Sequence, residues 1–298
     1  MAVIATGGPV NRDSLERGLR LLRSWELRPI VLPSTYRRRR YLAGEDHERL
    51  RDLTEAWTNP LYRAVLCARG GYGSIRLLDS FDYELPRRYP KIFLGYSDVT
   101  ALHLALIRRS GLVVFHGPMV SMSASRAGNA TTIEFMRRAL MSSDPLGALP
   151  ASSAPVVAVT SGRATGVLYG GNLTTLCSCI GTEEMTVPEG SLFFFEDVGE
   201  PLYKVDRLLT QILRTGGFDR SVGLVVGEFV RTAEQPVRPP DGPMLELLSD
   251  RLGRLGIPIA YGVSIGHGFD QWTLPIGVTA SLDASAGTLA VIEPATIS

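Results

Sequence analysis

A chain of 298 residues can bury a substantial core and fits one large or two medium domains, with two favoured by its pattern. With 45% hydrophobic and 20% charged residues and a formal net charge of +1, the composition gives no reason to expect nucleic acid or an anionic membrane as a partner. No apolar segment reaches membrane-spanning length, and residues 1–10 have neither a basic start nor a secretory apolar stretch, so a cytoplasmic location is expected. Cys67, Cys177 and Cys179 fit neither a disulfide framework nor a four-ligand zinc site and read as packing residues.

Residues 2–6 read as a first strand that runs into Gly7-Gly8-Pro9, followed by a helix with Leu15, Leu19, Leu22 and Trp25 at helical spacing. The turn lacks the G-x-G-x-x-G of a dinucleotide site, so no Rossmann cofactor is expected. The run Arg37 to Arg40 reads as a solvated face, within a stretch at 30–45 that also holds Tyr36 and could act as a lid. A charged helical segment at 41–59 precedes a buried strand at 64–68, which empties into Arg69-Gly70-Gly71-Tyr72-Gly73-Ser74. Such a loop lets backbone N–H groups approach a ligand closely, and without a P-loop lysine it does not suit phosphate.

Lys91 to Thr100 then reads as strand, glycine-bearing turn and helix start, with Ser97 at the bend. Ser97 or Asp98 could simply cap that helix, yet a serine projecting from a strand end beside free helix N–H groups also suits a nucleophile. The G-x-S-x-G elbow is half met, since Gly95 is present and Val99 replaces the second glycine. A strand and turn at 113–118 continue the alternation to about residue 140, which predicts a parallel sheet with Gly70, Gly71, Ser97 and His116 at its carboxyl edge. Residues 142–155 read as a linker, and beyond them short strands at 164–169, 192–195, 222–226, 259–263, 278–282 and 289–292 predict a smaller, strand-rich domain.

A serine nucleophile needs a base and a group to orient it. His116, at the same sheet edge, and His267, between Gly266 and Gly268, are near-equal candidates on the residues alone, while His47 reads as exposed and His103 as a packing or surface residue. The apolar strand at 192–195 ends in Glu196, Asp197 and Glu200, a source of an orienting acid. A metal site of Glu196, Asp197, Glu200 and His267 lacks any H-E-x-x-H-type spacing, so none is expected.

Taken in order, Arg69-Gly70-Gly71-Tyr72-Gly73, Pro90-Lys91 through Gly95-Tyr96-Ser97-Asp98, His116-Gly117-Pro118, Gly170-Gly171-Asn172-Leu173, Glu196-Asp197, and Gly266-His267-Gly268 with Thr273-Leu274-Pro275-Ile276-Gly277 cover nearly the whole chain. This series resembles the LD-carboxypeptidases of serine peptidase family S66, which also contains the microcin C self-immunity peptidases. The resemblance implies Ser97 as nucleophile, His267 as base, Glu196 as orienting acid, and the N–H groups of Gly71 and Asp98 as oxyanion hole. It implies an α/β fold: an N-terminal parallel-sheet domain, Rossmann-like or amidotransferase-like, at 1–145, a linker at 146–163, and a smaller C-terminal β-rich domain at 164–298 carrying Glu196 and His267. It further implies a homodimer without cofactor or metal, which removes terminal D-alanine from cytoplasmic murein tetrapeptides in peptidoglycan recycling. Gly70, Tyr72 and Glu200 are the expected substrate contacts, with Glu200 facing the ammonium of the diamino acid. The alternatives are a peptidase of microcin C-type peptide-nucleotides, where a lysine would be expected at the position of Glu200, and a non-catalytic peptide-binding protein on the same fold.

Overall fold

The computed structural model describes residues 1–152, 154–230 and 242–296. In chain order it runs β1 (Ala2–Ile4), α1 (Arg12–Ser24), β2 (Ile30–Val31), α2 (Asp46–Thr58), β3 (Ala64–Cys67), α3 (Glu84–Arg88), β4 (Ile92–Gly95), α4 (Thr100–Ser110), β5 (Val114–His116), α5 (Ala124–Ala127) and α6 (Ala130–Met141). The second half continues with β6 (Gly147–Ala148), β7 (Val157–Thr160), β8 (Arg163–Asn172), α7 (Leu173–Ser178), β9 (Ser191–Val198), α8 (Leu202–Arg214), β10 (Ser221–Val230), α9 (Gly242–Leu252), β11 (Ile259–Val263), β12 (Leu274–Ile276), β13 (Thr279–Asp283) and β14 (Thr288–Val291).

The first sheet has the order β12-β5-β4-β3-β1-β2, parallel throughout except for β12. β1, β3 and β5 are buried on both faces, which is why they read as unbroken apolar runs rather than alternating ones. Helix boundaries follow local chemistry. Asn11 accepts from the Ser14 N–H at the start of α1, and Glu45 and Glu48 close a reciprocal capping box on α2. The arginine run is tied to that helix, with Arg37 paired to Glu48 and Arg39 to Glu45 at 2.7 Å.

The second sheet has the order β6-β14-β13-β8-β9-β10-β11-β7. Its centre, β8-β9-β10-β11, is parallel, and antiparallel strands complete both sides. Two features depart from a reading by sequence segments. The stretch read as linker supplies β6 and β7, and β12, from the second half, joins the first sheet by pairing Leu274 with His116 and Ile276 with Val114.

Between the sheets lies α4, whose residues from Thr100 to Leu106 are all buried. By spacing alone, Val99, Leu102, Leu104, Ala105 and Leu106 populate one apolar side of a helix here. Burial on every side follows because the helix also packs on β8 and α7, and Thr100 Oγ1 accepts from the Asn172 N–H at 3.0 Å. One continuous apolar core therefore runs from β1, β3 and β4 through α4 into β9 and β10. The three cysteines are buried in it as free thiols.

Candidate active site

Ser97 stands at the amino end of α4, on the turn leaving β4, with φ of +63°. Left-handed backbone at a non-glycine residue is uncommon and is held by its surroundings. Here the hold comes from Gly95 and Val99: a Cβ on Gly95 would lie 2.6 Å from Val99 Cγ1, so the bare glycine lets the first helical turn fold back on the strand end. Val99, where a second glycine was looked for, is the residue that closes the bend.

The glycine loop after β3 meets this turn. A Cβ on Gly70 would sit 3.3 Å from Ser97 Cβ and 3.5 Å from the Asp98 nitrogen, which puts the Gly70 backbone directly against the bend. Gly71 takes φ of +96°, and Gly70 accepts from the Gly8 N–H at 2.7 Å. The Asp98 side chain has a separate task. Its carboxylate accepts from the N–H groups of Gly73 and Ser74, both at 3.0 Å, and from Ser74 Oγ at 2.7 Å, fastening the glycine loop to the bend. Burial raises its pKa against these hydrogen bonds. Arg49, fully buried, binds the backbone carbonyls of Thr6 and Gly73 and completes the brace.

The second sheet delivers the acid and the histidine. Glu196, near the end of β9, is fully buried, and its Oε2 accepts from His267 Nδ1 at 2.6 Å. Burial alone would raise the Glu196 pKa, but the charge and hydrogen bond of His267 outweigh it and hold the acid below its ordinary range. With its Nδ1 proton committed to Glu196, His267 has its Nε2 lone pair left for a serine hydroxyl. Flanking glycines by themselves suggest an accessible ring on a turn. Their main effect is instead to let the loop settle on buried acids, since a Cβ on Gly266 would collide with the Glu196 carboxylate and one on Gly268 with Glu228.

The ring of Tyr96, next to Ser97, lies 4.7 Å from that of His267. His116, the rival base, is fully buried and donates from Nε2 to the Ile265 carbonyl at 2.8 Å, with its pKa driven down to about 4 by burial. It supports the loop that carries His267. His103 is likewise buried, edge-on to Phe93 at 5.7 Å.

The three carboxylates after β9 go separate ways. Asp197 accepts from Asn172 Nδ2 at 2.9 Å and from the Thr174 N–H and hydroxyl at 2.9 and 2.7 Å, at the start of α7, and burial with Glu196 alongside pushes it up to about 6. Glu200 pairs with Lys204 at 3.4 Å. Among the described residues no three His, Cys, Asp or Glu side chains are grouped to hold a metal ion. Tyr72 and Tyr41 meet edge to face at 5.8 Å and, with Gly8, Arg69 and Gly71, line an open groove beside the glycine loop.

The sequence reading missed three contributors. Asn172 braces both acids, with its Nδ2 3.4 Å from Glu196 Oε1, and Tyr96 packs on the histidine. Glu228 lies under the histidine loop. Asn172 and Tyr96 stand inside the quoted motifs, whereas nothing local marks Glu228.

Two family models match this chain, one in each half of its sequence. The family model described as the LD-carboxypeptidase N-terminal domain matches residues 1–117, and that described as the LD-carboxypeptidase C-terminal domain matches residues 165–282. A Streptomyces coelicolor protein with a provisional carboxypeptidase name is 42% identical over 301 residues, covering 99% of this chain and 94% of the relative. Among solved structures, the muramoyltetrapeptide carboxypeptidase from Oxalobacter formigenes is 32% identical with a TM-score of 0.82, covering 98% of this chain and 99% of that one. An MccF-like protein from Bacillus anthracis is 27% identical with a TM-score of 0.88, covering 98% and 96%.

Proposed function

The chain belongs to the LD-carboxypeptidase family, and from that premise we propose that it is a serine-type enzyme releasing terminal D-alanine from murein tetrapeptides. The observation that carries the reading is the Glu196–His267 hydrogen bond of 2.6 Å, with Tyr96 linking that histidine to the bend where Ser97 is held at positive φ.

His267 Nε2 takes the Ser97 proton as the hydroxyl oxygen attacks the carbonyl of the L-configured residue. Glu196 keeps the imidazole in the tautomer that frees Nε2 and stabilises the imidazolium that forms. The Gly71 and Asp98 N–H groups receive the developing oxyanion; the packing of Gly70 against the Asp98 nitrogen supports this role. His267 hands its proton to the departing D-alanine nitrogen, then activates water to cleave the acyl-enzyme at Ser97. Gly70 and Tyr72 border the substrate, and Glu200 exchanges Lys204 for the ammonium of the diamino acid. A cytoplasmic homodimer acting in peptidoglycan recycling completes the proposal.

The test is incubation of purified protein with murein tetrapeptide and assay of free D-alanine. Ser97→Ala should lower release by about 10³-fold or more, and near-normal turnover by that variant would sink the mechanism. A tetrapeptide acetylated on the side-chain amine should react more slowly, as the Glu200 contact requires. Faster cleavage of a peptide-nucleotide would favour the immunity-peptidase reading, which the MccF-like neighbour keeps in view.

A further inference from the structure

The loop that carries His267 is held from two directions. From the first half of the chain, Arg126 Nη2 donates to the Gly268 carbonyl at 2.6 Å, and Asn129 Nδ2 donates to the Phe269 carbonyl at 3.2 Å and to Asp270 Oδ1 at 2.9 Å. From the second sheet, the Glu228 carboxyl fills the space that a Gly268 side chain would occupy. Glu228 is 6% exposed, and its Oε2 has no hydrogen-bond partner among the described residues; nor has the buried Nη1 of Arg126. Both residues contact Gly268, and leaving a buried atom of each without a hydrogen bond is costly unless their opposite charges act on one another.

We propose that Glu228 is a positioning residue for His267, acting through Gly268 with Arg126 as its counter-charge. The proposal rests on the reading of His267 as the base. The groups facing Glu228 are Asp270 on the histidine loop, Arg126 on α5 and Glu196 on β9. Burial, Asp270 and Glu196 push its pKa up to about 7, while Arg126 opposes them. Below that pH the carboxyl is a neutral filler. Above it, the carboxylate draws the Arg126 guanidinium toward Gly268 and adds negative charge beside the Glu196–His267 pair, which favours the imidazolium formed when Ser97 reacts.

The test measures the rate at which a fluorophosphonate probe acylates Ser97 from pH 5.5 to 8.5, alongside D-alanine release. Glu228→Gln keeps the shape and removes the charge. The wild-type to variant rate ratio should be near one at pH 5.5 and rise to about tenfold at pH 8.5 with the slope of a single proton. A carboxyl that only fills space gives a ratio independent of pH, which would overturn the proposal. Arg126→Gln should move the wild-type rise to higher pH, and it decides the question if Glu228→Gln fails to fold; an unmoved rise counts against the proposal. Labelling of Ser97 without D-alanine release would defeat the substrate reading while leaving this inference standing. A flat ratio in an enzyme that does release D-alanine would do the reverse.

Discussion

Gly266 separates the part of the site that can be read from residue types from the part that depends on fit. A Cβ there would lie 2.7 Å from Glu196 Cγ, 2.8 Å from Glu196 Cβ and closer still to Oε2. Gly266→Ala should therefore push the loop off the acid and lengthen the Glu196–His267 bond. D-alanine release should fall at least about 10²-fold, toward the ~10⁴ typical of losing an orienting acid, and overpacking should cost about 1–3 kcal/mol of stability in urea unfolding. Unchanged turnover would mean that the loop has slack which the packing does not suggest. Ser97 and Glu196, the proposed nucleophile and orienting acid, stand out in the sequence because their types and motif neighbours restrict the chemistry, whereas residue types leave His116 and His267 level as candidates for the base. The choice between His116 and His267 was not open to residue-level argument. It depends on burial, and the buried ring is the one whose Nε2 is taken by the Ile265 carbonyl.

At the level of elements, the strand-turn-helix units at β1, β3, β4 and β5 were legible because buried parallel strands write continuous apolar runs bounded by glycine, whereas the two-residue, partly exposed β2 leaves no such run. The path of β12 was not, since Leu274 to Ile276 is as apolar as the strands around it and only the pairing with β5 reveals its sheet. That pairing covers the edge of β5, while Gly117 packs against Thr273 so closely that a Cβ would lie 2.6 Å from its hydroxyl. Exposed strand edges invite pairing between molecules. A chain of residues 1–145 expressed alone should accordingly self-associate, as read by light scattering, while the full chain under the same conditions shows no comparable growth in size with concentration. A monodisperse, cooperatively unfolding fragment would show that β12 is dispensable to the first sheet. The brace by Asn172 belongs to this scale too, because it exists only where the ends of β8 and β9 lie side by side.

Across the molecule, joining the two sheets through a helix buried on all sides has an electrostatic consequence. His103 on α4 and His116 on β5 sit within that shared core, and desolvation depresses both pKa values, His116 to about 4 and His103 well below its ordinary 6.5. Between about pH 6.5 and 4 the unfolded chain binds protons at these positions that the folded chain refuses, so their contribution to stability is complete above pH 6.5 and is lost as the pH falls. For His116 the shift corresponds to a loss on the order of 3 kcal/mol across that window. Asp197 and Glu228 oppose it, because burial raises their pKa values to about 6 and about 7, and there the folded state binds the extra proton. The net slope of wild type is therefore a difference of opposing contributions, and a variant is needed to isolate one of them. His116→Gln can still donate to the Ile265 carbonyl and does not titrate. Urea unfolding midpoints between pH 7.5 and 5 should fall more steeply for wild type than for His116→Gln, the two profiles converging as acid is added. Parallel profiles would mean that His116 gains its proton without opening the core, and that the junction between the sheets admits water.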